Sequence, residues 1–155
     1  MATRSAIGVA YGDVIKGVYC HWDGYLSNNG RILQENYDRP KASNLIALGD
    51  ISSLKPEIGE KHDFEFYFKK EQYTPEQLAM FEEKWTLFYG RDRGEDGTGW
   101  RVFDTAEDFI QHFDGCGCEY FYIMGDDGQW YVNPYNRGWQ KLSEALAEEA
   151  AEQEQ

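Results

Sequence analysis

Two β-hairpin signatures, one near each end of the chain, constrain the fold more than any other feature of the sequence. Residues 6–11 and 14–22 are rich in β-branched and aromatic side chains and flank Gly12-Asp13, a turn dipeptide, so the N-terminal segment is expected to form a hairpin. Near the other end, residues 119–124 and 129–133 flank Gly125-Asp126-Asp127-Gly128 and predict a second hairpin. Hairpins are antiparallel by construction. With helical segments between and after them, they predict an α+β fold with an antiparallel or mixed sheet and helices packed on one face.

The intervening segments are expected to be mostly helical. Asn28, Asn29 and Gly30 lead into a short helix carrying Ile32, Leu33 and Tyr37; Pro40 suits the first turn of another that presents Leu45, Ile46 and Leu48 and stops at Gly49. Residues 51–63, with Pro56 and Gly59, read as a surface loop. Phe64, Phe66 and Phe68 alternate with polar or amphipathic neighbours and predict a third strand. Thr74-Pro75-Glu76-Gln77 combines a cap, a first-turn proline and a capping-box glutamine, and Leu78, Phe81, Trp85 and Phe88 follow at helical spacing, although residues 85–89 suit a strand equally well. Thr105 caps a helix whose buried side is Phe109, Ile110 and Phe113. A last helix is expected to start near Gly138, with residues 1–146 forming one domain and 147–155 an acidic, frayed tail.

Composition then limits what such a domain can bind. The formal charge is −13, and it is unevenly placed: residues 1–50 hold five basic and five acidic side chains, whereas from Asp92 onward the count is four against fifteen. A field of that sign repels nucleic acid and anionic membranes and attracts basic surfaces or cations, so neither direct nucleic-acid binding nor membrane binding is expected. The longest apolar runs are too short to cross a bilayer, and three cysteines, Cys20, Cys116 and Cys118, make a disulfide framework improbable; both observations point to a cytoplasmic protein.

The densest group of reactive side chains is Tyr19-Cys20-His21-Trp22-Asp23-Gly24-Tyr25. On a strand, Cys20 and His21 point to opposite faces while His21 and Asp23 share one and are expected to be able to hydrogen-bond. Buried core roles for Cys20 and Trp22, with a turn at Asp23-Gly24, are the alternative. A metal site drawing on Cys20, His21, Cys116 and Cys118 lacks the usual knuckle spacing, so no cofactor is expected. Arg91 and Arg93 in the glycine-rich loop 91–99 offer guanidinium forks for a phosphate or carboxylate, though alternating charge in a loop is more commonly a solvated surface.

The T-R-S run of residues 3–5, the Y-C-H-W-D-G-Y segment, Asn29-Gly30-Arg31-Ile32-Leu33, Ala47-Leu48-Gly49-Asp50 and Phe88-Tyr89-Gly90-Arg91-Asp92-Arg93-Gly94 together resemble a family of small bacteriophage- and prophage-encoded proteins. The resemblance implies an accessory gene expressed in a bacterial cytoplasm; it carries no catalytic or binding residue with it.

Three functions are compatible with these features. The first is a non-enzymatic protein that binds and modulates a bacterial host factor, such as a defence or nucleic-acid-handling protein with a basic surface, through its own acidic surface. The second is a small-ligand binder that sequesters a nucleotide signal, with Trp22, Tyr25 and Trp100 stacking the base, Arg91 or Arg93 holding phosphate, and His21 and Asp23 also among the ligand-binding residues. The third is a metal-dependent hydrolase built on His21, Asp23 and cysteine ligands.

Overall fold

The computed structural model describes residues 2–153. Strand β1 (Ser5–Tyr11) pairs antiparallel with β2 (Val14–Cys20) without a break in register, Ser5 opposite Cys20 and Tyr11 opposite Val14. The turn closes at Gly12, whose φ of 61° lies in the left-handed region that glycine enters without steric cost. The second hairpin joins β6 (Tyr120–Met124) to β7 (Trp130–Pro134). β6 lies parallel to β1, so the two predicted hairpins sit side by side and make the sheet mixed.

Four shorter strands extend it. β3 (Ile51–Ser53) runs parallel to β2 and is followed outward by β4 (Leu87–Phe88); β8 (Gln140–Lys141) closes the far edge on β7. β5 (Arg101–Phe103) pairs with Ile15, Lys16 and Gly17 of β2. The spatial order is β4-β3-β2-β1-β6-β7-β8, with β5 sharing the outer edge of β2 with β3. In the gap between those two partners, the Asp50 carboxylate accepts the Tyr19 backbone N–H at 2.9 Å and supplies a bond that a continuous neighbouring strand would otherwise have made.

Alternation along the strands builds two cores. Ile7, Val9, Val18, Tyr122, Met124 and Val132 face α1 (Arg31–Asn36), α2 (Arg39–Ala47) and α5 (Leu142–Gln153), which contribute Leu33, Leu45, Ile46, Leu142 and Ala145. Ala6, Ile15, Phe121 and Ile123 face the other way, onto Phe109, Ile110 and Phe113 of α4 (Ala106–Asp114). Each fully buried large side chain of this kind contributes roughly 1.5–3 kcal/mol. The sheet is therefore covered on both faces, not on one as the element order suggested: α4 takes the opposite side from the other helices. Gly17 makes that possible, because a Cβ there would stand 2.6 Å from the Phe109 ring.

Three further expectations are corrected. Residues 51–63 are not wholly loop, since Ile51–Ser53 enter the sheet and Ile51 is fully buried. Residues 64–69 form no strand: Phe66–Phe68 make a tight helical turn, and Lys70–Gln72 make another directly after. Asp63 is the cause: its carboxylate accepts the Glu65 N–H and its carbonyl the Phe66 N–H, local bonds that compete with a ladder, and only Phe66 of the three phenylalanines is buried. The final helix begins at Leu142, because Gly138 has a φ of 131° and Gln140–Lys141 pair as β8. It continues to Gln153; the remainder of the expected tail lies outside the described residues.

The Thr74 capping box is present in full and opens α3 (Pro75–Ala79), which widens into a π-type turn, Met80–Lys84, and gives way to extended backbone at Trp85. The 85–89 segment thus follows the strand alternative at Leu87–Phe88.

Candidate functional site

The Y-C-H-W-D-G-Y segment divides into a buried half and an exposed half. Strand β2 stops at Cys20, whose thiol is fully buried and receives an Asn29 Nδ2 hydrogen bond at 3.4 Å; the same amide reaches Ser5 Oγ at 3.1 Å. Burial pushes the Cys20 thiol up to about 11, and it pushes Cys118 higher still, so both stay protonated near neutrality. His21 takes Tyr19 as its partner, with 2.7 Å between Tyr19 Oη and His21 Nδ1, and packs edge-on against Trp22. Burial, then the nearby Arg4 guanidinium, lowers the His21 pKa below its ordinary value. Burial likewise raises Tyr19 to about 12, so this pair is neutral at physiological pH.

Asp23 does not join that pair. The strand has ended, Asp23 adopts a left-handed φ of 54°, and its backbone carbonyl is used to receive Asn28 and Asn29. The bond expected from a shared strand face is thereby replaced by a turn. Trp22 and Tyr25 are left exposed.

Arg91 is committed to the interior. Its guanidinium donates to the Gly59 and Thr86 carbonyls and to both oxygens of Asp92, and stacks over the Phe88 ring. Asp92 is in turn fully occupied: besides Arg91 it accepts the backbone N–H groups of His62 at 3.0 Å and Phe88 at 2.8 Å. Nothing in the run R-D-R distinguishes Arg91 from Arg93, yet Arg93 points outward, paired with Glu95 and lying over Phe64 and Tyr89. Trp100 is exposed with the Lys16 ammonium 4.3 Å above its ring. None of the seven residues singled out from the sequence lines either of two surface cavities of about 450 Å3.

Cys116 and Cys118 lie near Arg4, which donates to the Cys116 carbonyl. Among the described residues, no three or more His, Cys, Asp or Glu side chains are placed to hold a metal ion together.

The carboxylates show a sharper pattern. Those in ion pairs are Asp50, Glu57, Asp63, Glu65, Asp92, Glu95 and Asp126. Of the described acidic residues from Asp104 onward, only Asp126 is in that group. On α5, Glu144, Glu148 and Glu152 follow one another at four-residue spacing, all exposed, on a helix whose other side buries Leu142 and Ala145. Like charges at that spacing cost a helix roughly 0.2–0.5 kcal/mol per pair, so the pairs within the stripe do not stabilise α5. The sequence signal for it was the lopsided charge count; the helix that aligns it runs from Leu142 to Gln153.

No protein family, curated protein or solved structure matches the chain.

Proposed function

We propose that the protein is a non-enzymatic binding protein that seats its acidic C-terminal surface on a basic surface of a bacterial host factor, one that handles nucleic acid or acts in defence. The observation that carries this reading is the carboxylate stripe on α5: it is exposed, locally repulsive and, among the described residues, in no ion pair. A basic partner would relieve that repulsion and gain electrostatic steering in its association. The resemblance to phage-encoded proteins supports a bacterial host as the setting. His21 Nδ1 is taken by Tyr19, the Asp23 backbone turns away to receive Asn28 and Asn29, and the Arg91 guanidinium is taken by Asp92 and the Gly59 and Thr86 carbonyls, so the three support no common reacting centre.

The test is capture from bacterial lysate by the wild-type protein and by the E144Q/E148Q/E152Q variant, each at low and high salt. A host protein held by the wild type at low salt, released by high salt and not held by the variant is the expected result. Failure to hold any protein, or retention indifferent to salt and to the three substitutions, overturns the reading.

A further inference from the structure

A surface cavity lies between α4 and the loop that joins β7 to β8, and its walls differ in chemistry from the acidic surface of α5. Ile110 and the half-exposed Trp139 give it an apolar floor and an aromatic wall; Gln111 and Asn136 bring amides, Arg137 a guanidinium and Glu107 a carboxylate. The volume of about 450 Å3 is within the range of small-molecule sites.

The loop is held in a costly shape. Tyr135 and Asn136 have φ values of 54° and 57°, and Gly138 follows at 131°. Asparagine tolerates the left-handed region, but tyrosine there is uncommon, and strain of this kind persists where surrounding structure enforces it. Asn133 does the enforcing: it is buried, its Oδ1 accepts the Gly138 N–H at 2.9 Å and its Nδ2 donates to Asn136 Oδ1 at 3.4 Å. The result is that Arg137 and Trp139 both line the cleft. Arg137 forms no ion pair among the described residues and lies over the Tyr135 ring, so its fork is not taken by a carboxylate.

We propose that this cleft binds a purine nucleoside monophosphate. Trp139 stacks the base, the Gln111 or Asn136 amide meets the hydrogen-bonding edge of a purine, Glu107 accepts a ribose hydroxyl, and Arg137 takes the phosphate. The phosphate group is limited to one because the net charge of −13 and the Glu107 carboxylate oppose a polyphosphate. The site is independent of the α5 stripe, and neither reading stands or falls with the other.

Titration with adenosine and guanosine monophosphate, followed by tryptophan fluorescence and calorimetry, tests it, with adenosine and the triphosphate as comparison ligands. Saturable binding of a monophosphate is expected, weaker for the triphosphate. Arg137→Met should weaken the monophosphate about tenfold or more while leaving the nucleoside unchanged, and Trp139→Ala should weaken both. Both side chains are at the surface, and an unchanged melting curve for each variant separates lost binding from lost folding. Absence of saturable binding at millimolar monophosphate, tighter binding of the triphosphate, or affinity indifferent to both substitutions overturns the proposal.

Discussion

The sheet around β1, β2 and β6 and the segment 56–92 are held by different forces. In the sheet, each strand alternates between two apolar cores, and the polar atoms are consumed by ladder bonds. Much of segment 56–92 belongs to neither core. It closes over His62, with Phe66, Phe81 and Trp85 at ring distances of 6.4, 5.0 and 5.7 Å, and over the Asp92 carboxylate, which ties His62, Phe88 and Arg91 together. His62 Nδ1 lies 2.8 Å from the Glu60 carbonyl and donates to it, while its buried Nε2 has no partner. Area burial is spread over many side chains and tolerates small losses; a polar hub concentrates its contribution in one residue, and removing that residue leaves several buried groups unsatisfied at once.

The largest expected effect follows from that concentration. Asp92→Ala should cost about 3–5 kcal/mol, because two backbone N–H groups lose their acceptor and the partly buried Arg91 guanidinium loses its carboxylate, keeping only the Gly59 and Thr86 carbonyls. Hydrogen exchange should show amides of segment 56–92 opening while those of β1, β2 and β6 stay protected; uniform loss across both regions would mean they are one cooperative unit. In the sheet, Gly17→Ala should cost about 1–3 kcal/mol by forcing the Phe109 ring aside, with exchange rising throughout. Urea denaturation measures both.

A smaller effect concerns pH. His21 has a depressed pKa in the folded state, so it contributes stability above its ordinary value of 6.5 that is lost as pH falls through the folded value. Burial raises the Asp50 pKa, against the Tyr19 N–H and Arg101, so Asp50 acts in the opposite sense: its contribution is present at acid pH and is lost as pH rises through the raised value. His21→Gln should flatten the stability profile just below pH 6.5 and leave the more acidic limb intact, as followed by melting temperature against pH. Smallest of all, Phe68→Ser should stay within about 0.5 kcal/mol, since that ring is 85% exposed. A loss of several kcal/mol there would place Phe68 in a packed region and redraw the segment.

What could be read in the sequence tracks the same division. Both hairpins, the Thr74 and Thr105 caps and the buried side of α4 were legible because each rests on neighbours in sequence: a turn dipeptide, a cap three residues from its donor, an apolar period. Phe64, Phe66 and Phe68 misled for the opposite reason. Their alternation is real, but Asp63 outbids it locally and the hub that organises the segment joins residues 30 apart. Covering both faces of the sheet depended on Gly17 meeting Phe109, a pairing no local pattern announces. At the candidate site the charge imbalance was visible from counting, whereas its alignment on α5 needed the helix to persist to Gln153. Arg91 and Arg93 are two residues apart and indistinguishable by type, yet one is a structural clamp and the other faces solvent.

The central claim is that the carboxylate stripe on α5 serves recognition and not folding. It is tested most directly by measuring, in one salt series, how tightly the partner is retained and how stable the free protein is, for the wild type and for E144Q/E148Q/E152Q. The account predicts that the variant melts at the same temperature or higher while its retention falls and loses its salt dependence. A variant that unfolds more easily yet, while folded, holds the same partner with the same response to salt would contradict it.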